Sequence, residues 1–410
     1  MKLLSERITD LSKARETKGK MTGENTVTLV AVGDVGPKRA HAEEVFDATR
    51  SILQSADITY GQLESNLSLR GTPQLHMGLG SIAHPRIGNA LADAGFDVMS
   101  FASNHSLDYS EEALIDTLDV MKKNKIRIIG AGRNLSEARQ PVIFEREKTR
   151  VGFLAYCSVV PKGFEAGENK TGVAPVRAST AYEQADWQPG TPPRIITKAF
   201  PNDLDAMVKD IESLRKKVDV LVVGMHWGVH FVPAVIAGYQ YEVGHAAIDA
   251  GADIIIGTHA HILKGIEVYK GKAIFFSLCN FCMDLPIAGP VADAMAAAMQ
   301  RPVITDVKID HRNYCQIGHY SWKVDPEYPT YAFPPDSRKS ILVKCHISDK
   351  RLRSVSFLPL WMSKTGQPTP LSQSDPRNED VLNYMKWLCK DQRLDTEFIR
   401  EGDEIRVLTD

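Results

Sequence analysis

The sequence predicts an α/β protein in which buried strands alternate with helices. Three observations lead there. A short, nearly continuous apolar run recurs five times: TVTLVAVGD (Thr26 to Asp34), ADITYGQLESN (Ala56 to Asn66), FDVMSFASNH (Phe96 to His105), VDVLVVGMHWG (Val218 to Gly228) and ADIIIGTHAH (Ala252 to His261). Each run ends at once in Asp, Glu, Asn or His. Helix-length segments of mixed periodicity separate the runs.

Apolar runs without alternation read as strands buried on both faces, the pattern of sheet interiors in layered α/β proteins. The intervening helices are expected over Ala42 to Leu53, Arg86 to Ala94, Glu111 to Asn124, Asp203 to Lys217 and Tyr239 to Ala250. Two stretches break the rhythm: Lys162 to Pro201, rich in Gly, Pro and Ala, and the segment after Leu285, which holds Tyr314, Tyr320, Trp322, Tyr328, Tyr331 and Phe333. Long aromatic loops of this kind serve as lids or pocket walls, or as a surface for a partner. Strands return at Ile341 to Ile347 and Val355 to Leu360, and a helix is expected over Asp380 to Lys390. The organisation that follows is a polar extension over 1–25, a core over 26–285, an aromatic-rich insertion or lid over 286–338, and a C-terminal part, 339–410, completing the same domain.

Composition narrows the function classes. With 49 Lys and Arg against 51 Asp and Glu in 410 residues, the net charge of -2 supplies no global field for nucleic acid or an anionic membrane. The first 25 residues contain no apolar core of a secretion signal, and the apolar stretch Val220 to Tyr239 carries His226, His230 and Pro233, so no integral membrane anchor is expected. Six cysteines without a disulfide rhythm suit a reducing compartment, and a cytoplasmic location is expected. Cys279 and Cys282 have the CxxC spacing, but a single such pair is weak evidence for zinc or redox chemistry.

The run ends collect Asp34, Glu64, Asn104, His105, His226, His259 and His261. Carboxylate oxygens and neutral imidazoles held at strand ends are what divalent cations require, and ligands in α/β sheets bind at the carboxyl ends of strands. Gly257-Thr-His-Ala-His261 adds two imidazoles at i and i+2 in a tight loop. Any one of these residues could instead cap a helix or serve a turn; their recurrence at five strand ends favours a shared centre. Mixed oxygen and nitrogen donors fit manganese, iron or zinc, as one ion or two. Arg86, Arg177 and Lys264 lie near the motif loops and offer charge for a carboxylate or phosphate of a small anionic substrate, with His230 at the same rim.

The ordered series GDV (Gly33 to Val35), QLESNLS (Gln62 to Ser68), SNHSLDYS (Ser103 to Ser110), GAGRN (Gly130 to Asn134), HWG (His226 to Gly228) and AGADIIIGTHAHILKGIEVYKGKAIFFSLCNF (Ala250 to Phe281) resembles the CapA/PgsA family of poly-γ-glutamate capsule synthesis, a remote relative of calcineurin-like phosphoesterases. The resemblance implies a metallophosphatase-like αββα sandwich. It implies that Asp34 and His261 serve one metal, that Glu64 bridges, and that Asn104, His226 and His259 serve a second. His105 would be the imidazole beside the reacting group, and Asp34 and His105 the catalytic pair. Two departures stand out. Gly36 occupies the place of the imidazole in the usual Asp-x-His, and Glu64 replaces a bridging Asp. Within the family pattern, Gln62, His230 and Cys279 also differ around the pocket.

The function these readings imply is a metal-dependent hydrolase that cleaves an amide, ester or phosphoester bond through metal-activated water. The alternative is a non-catalytic capsule or polyglutamate component that binds polymer or envelope partners. Self-association into a homo-oligomer is left open.

Overall fold

The computed structural model describes residues 26–74, 80–184, 186–187, 193–285 and 325–409. The extension over 1–25, and Tyr314, Tyr320 and Trp322 of the aromatic segment, lie outside the described residues.

The main strands and helices follow the expected alternation. In the first half these are β1 (Thr26–Gly36), α1 (Arg50–Ser55), β2 (Ile58–Leu63), α2 (Ile87–Ala94), β3 (Val98–Ser100), α3 (Ser110–Lys123) and β4 (Arg127–Ile129). A hairpin of β5 (Val142–Arg146) and β6 (Thr149–Cys157) leads to α4 (Pro201–Arg215), β7 (Val220–His226), α5 (Gly238–Asp249) and β8 (Ile254–Thr258). Then come β9 (Ile266–Tyr269), β10 (Lys272–Phe275) and β11 (Asn280–Met283). The C-terminal part contributes β12 (Lys339–Ser348), β13 (Arg351–Met362), β14 (Pro368–Pro370), α6 (Pro376–Asp391), β15 (Phe398–Glu401) and β16 (Glu404–Val407).

These strands form two large sheets. One has ten strands in the order β15-β16-β13-β12-β1-β2-β3-β4, with β11 added beside β1 and β14 beside β13; the other has six, β9-β10-β8-β7-β6-β5. The C-terminal strands therefore extend the first sheet. Inner-face residues of both sheets, among them Ala31, Tyr60, Phe153, Val222 and Ile256, share one buried cluster. Tyr60 stacks on Phe153 across the interface at 6.3 Å and 8°. Because successive strand residues point to opposite faces, Leu154, Leu221 and Val223 turn outward and bury against Met207 and Ile211 of α4 and Val243 of α5. Leu53, Leu91, Leu114 and Met121 of α1 to α3 belong to the buried cluster of the first sheet. The layers are helix, sheet, sheet, helix: the αββα sandwich the motif series implies.

Two regions differ from expectation. Lys162 to Pro201, expected as loop, contains an antiparallel hairpin pairing Ala178–Glu183 with Arg194–Ala199. Its first strand is exposed at nearly every position, so neither an apolar run nor an alternation marks it. The edge hairpin of β15 and β16 differs from expectation as well: each strand has only four residues, and none of β15 and two of β16 are buried, too short a pattern to mark a strand. The apolar stretch after Val220 is a strand, a loop and the start of α5. Among the described residues no helix is long and apolar enough to cross a membrane.

Strand β1 changes partner along its length. Thr26 to Ala31 pair antiparallel with β12, whereas Asp34 to Gly36 pair in parallel with β11, placing Asn280 opposite Asp34. At this crossover the backbones approach so closely that a Cβ on Gly33 would lie 1.8 Å from the carbonyl oxygen of Cys279. Gly33→Ala must push β11 off β1. Overpacking of this kind costs about 1–3 kcal/mol, and urea unfolding is expected to show at least that loss; an unchanged midpoint would contradict the close approach.

Candidate metal centre

The crossover brings the run ends of both sheets to one edge of the sandwich. Asp34 ends its run on β1 and Glu64 follows β2, both from the first sheet, and Asn104 follows β3. From the second sheet come His226, the last residue of β7, and His259 and His261, just after β8. Asp34, Glu64 and His226 are fully buried, and His259 and His261 are 5% and 6% exposed. His259 and His261 adopt left-handed backbone, with φ of 89° and 55°. Non-glycine residues hold such angles only where the surroundings enforce them. Here the turn lets both imidazoles face the same side and points the His259 N–H at Asp34 Oδ2, 3.3 Å away.

The donor atoms converge in two groups. In one, Asn104 Oδ1 lies 2.7 Å from His226 Nε2 and 3.2 Å from His259 Nδ1, and His226 Nε2 is 3.1 Å from Glu64 Oε1. In the other, His261 Nδ1 is 3.4 Å from Asp34 Oδ2 and 2.7 Å from Asn280 Oδ1. Asp34, Glu64 and His226 each offer an atom within 4.8 Å of the others. Atoms bound to one cation at about 2.0–2.2 Å stand roughly 3–3.5 Å apart; His226 Nε2 and Glu64 Oε1, 3.1 Å apart, have that spacing, and Asp34 would draw inward to join them on an ion.

The electrostatics point the same way. Asp34 Oδ1 and Glu64 Oε1 are buried without any hydrogen-bond donor. Burial, reinforced by neighbouring Asp34, pushes the Glu64 carboxyl well above the usual range. Burial, with the surrounding imidazoles, holds His226 and His259 well below theirs. Neutral imidazoles beside orphaned carboxylate oxygens are a poor arrangement for ion pairs between side chains and a good one for a metal.

His105 stands beside this cluster with Nδ1 2.6 Å from Asp108 Oδ2. Asp108 is buried and also accepts the Ser81 N–H at 2.6 Å, which fixes the carboxylate that orients the ring. The backbone N–H of His105 donates to Ser103 Oγ at 2.9 Å, and that hydroxyl donates to Glu64 Oε2 at 2.5 Å. His230 lies across the mouth, its ring stacked on His259 at 3.8 Å and facing His261 at 5.3 Å.

The other expected substrate contacts have different tasks. Lys264 is buried, and its ammonium donates to the carbonyls of Val232 and Val235, holding the loop that carries His230. Arg177 makes a two-point pair with Asp203 at 2.7 and 2.9 Å. Arg86 is exposed at the start of α2, and its described hydrogen bonds are made by its backbone. A cation that the motifs do not mark lies near the cluster: Lys38, four residues beyond Asp34, has its pKa lowered by burial, against the opposing charges of Asp108, Asp284 and Glu64. Its backbone N–H is held by Asp284 Oδ2 at 2.7 Å. Asp108 was passed over too, although it stands at i+3 from His105 inside a quoted motif. Of the described aromatics beyond Leu285, Tyr328, Tyr331 and Phe333 form a small buried cluster with Met283 and Met362, and Phe333 packs 5.2 Å from His261.

Comparison with known proteins agrees with the motif series. Residues 24–285 match the family model described as bacterial capsule synthesis protein PGA_cap. The PGA biosynthesis protein CapA of Bacillus subtilis is 28% identical over 282 residues, 66% of this chain and 67% of that protein. The capsule biosynthesis protein CapA of Bacillus anthracis is 28% identical over 274 residues, 63% of this chain and 60% of that protein, so about a third or more of each relative has no counterpart in the match. A solved structure of a novel phosphatase from Mycoplasma pneumoniae covers 88% of this chain and 98% of its own at 14% identity and a TM-score of 0.44. That superposition is too loose to carry chemistry.

If the two carboxylates await a cation, Glu64→Gln has opposite effects in two conditions. In chelator-treated protein it removes one of two buried carboxyls that disfavour each other's ionisation and should leave the melting temperature unchanged or higher. With Mn²⁺ at about 100 times its dissociation constant, the unchanged protein gains about 2.7 kcal/mol, and the variant should gain far less. Equal gains in both proteins would contradict the site.

Proposed function

The chain belongs to the bacterial capsule synthesis protein PGA_cap family, and on that premise we propose that it is a metal-dependent hydrolase of a small anionic substrate, cleaving an amide, ester or phosphoester bond. The observation that carries this reading is the pair of buried, donorless oxygens on Asp34 and Glu64 facing neutral imidazoles. A divalent ion held there, manganese, iron or zinc, would supply a water acidified to near neutrality and a Lewis acid for the scissile group.

The residues divide the remaining work. Asp34, Glu64, Asn104, His226, His259 and His261 hold the ion or ions. His105, its Nδ1 side fixed by Asp108, keeps Nε2 for the substrate and gives a proton to the leaving group or a hydrogen bond to the developing oxyanion. Lys38, near Glu64 and Asp108, and His230, stacked on His259, would supply charge and surface for the anion. The names of the matched relatives favour a second reading, in which the same pocket binds polymer without turnover.

Chromogenic phosphoester, ester and γ-glutamyl amide probes separate the two readings. The hydrolase reading expects the metal-loaded protein to turn over one of them, chelation to abolish the rate, and His259→Ala to lose metal. His105→Gln should keep the metal and lower kcat by about 10²–10⁴-fold. An unchanged rate in His105→Gln would remove that residue from the chemistry. Binding of poly-γ-glutamate with no turnover of any probe would favour the second reading.

A further inference from the structure

The departure at Gly36 leaves the Asp34 side of the centre one donor short of the usual phosphoesterase set, and the structure explains why no side chain stands there. A Cβ at residue 36 would lie 2.8 Å from Met283 Sδ and 3.0 Å from Ser65 Oγ. Space that an imidazole would need is already filled. Directly opposite Asp34 in the parallel pairing of β1 and β11 is Asn280, fully buried.

We propose that Asn280 is a metal ligand, its side-chain carbonyl taking the place of the absent imidazole beside Asp34 and His261. The inference rests on the metal-dependent reading above. Three observations lead to it. First, the orientation of the amide is set from behind: Tyr331 OH donates to the Ser337 carbonyl at 2.7 Å, so the phenol oxygen must accept, and Asn280 Nδ2 donates to it at 2.7 Å. That leaves Oδ1 facing the site, 2.7 Å from His261 Nδ1. Second, the same ring nitrogen of His261 lies within 3.4 Å of Asp34 Oδ2. Oδ1, Nδ1 and Oδ2 are all acceptors when the imidazole lacks its Nδ1 proton, and a cation among them satisfies all three. Third, the backbone holds Asn280 rigidly: the Asp34 N–H donates to the Cys279 carbonyl at 3.1 Å, Cys279 has a left-handed φ of 66°, and Ser340 Oγ donates to the Asn280 carbonyl at 2.6 Å.

The end of the aromatic segment thereby acquires a task at the centre. Tyr331 and Ser337, within 286–338, orient a donor in the metal's coordination sphere and do more than form a wall of the pocket.

Titrating chelator-treated protein with Co²⁺, reading ions per chain and the visible absorption of the bound ion, tests this without any substrate. The unchanged protein is expected to bind Co²⁺. Asn280→Ala should lose the ion on the Asp34–His261 side, or bind it at least 100-fold more weakly, and keep the ion on the Asn104–His226–His259 side with its spectrum unaltered. Asn280→Asp should retain both ions with shifted band positions, since a carboxylate replaces a carbonyl. Tyr331→Phe should weaken the same ion by a smaller factor. If Asn280→Ala binds as many ions as the unchanged protein, with the same spectrum and affinity, Asn280 merely accepts a hydrogen bond from His261 Nδ1–H and the proposal is overturned. Should Asn280→Ala not fold, unchanged bands in Asn280→Asp overturn it equally. An unchanged protein that binds no Co²⁺ at all would instead bring down the metal reading on which this inference rests.

Discussion

Two carboxylates, Asp34 and Glu64, are fully buried side by side with an oxygen on each lacking a donor. In a low-dielectric interior that arrangement is costly unless a cation compensates it, and the surrounding structure is organised around this constraint. The protein supplies partial relief: the Ser103 hydroxyl reaches Glu64, the strained His259 backbone N–H reaches Asp34, and Lys38 is near enough for its charge to interact with Glu64. Neutral imidazoles fill the remaining approach. Lys264, which could have offered a positive charge, is committed to loop carbonyls.

The centre depends on the sandwich as a whole. The first sheet brings both carboxylates and Asn104; the second brings His226, His259 and His261. Tyr60 against Phe153 and the tight fit of Gly224, where a Cβ would meet the Tyr60 hydroxyl at 2.2 Å, hold the two sheets in register at short range. A shift between the layers would separate carboxylates from imidazoles, so sheet packing and metal affinity are expected to be coupled energetically. The same edge carries His105, on the turn after β3, oriented by Asp108 of the same turn.

Much of this was legible in the sequence because buried strands ending in polar residues leave a plain mark: an apolar run followed at once by Asp, Glu, Asn or His. Five such ends located Asp34, Glu64, Asn104, His226 and the His259–His261 pair. What the pattern could not show was which charged side chains reach the pocket. Lys264, Arg177 and Arg86 are near the motifs along the chain, but proximity in sequence says nothing about direction, and the first two are engaged elsewhere. Asn280 sits in a quoted motif, but its importance depends on a strand pairing between residues 246 positions apart. Exposed hairpins such as Ala178 to Ala199 bury too little to leave a periodic signal.

The central claim is that the Asp34–Glu64 pair exists to hold a cation. Anomalous diffraction from crystals soaked in Mn²⁺ tests it most directly. The account predicts one or two strong peaks between the carboxylates and the imidazoles of His226, His259 and His261, with Asp34 and Glu64 oxygens at about 2.0–2.2 Å from the ion. Saturating Mn²⁺ that leaves this position without a peak, or places ions only on the protein surface, would contradict it.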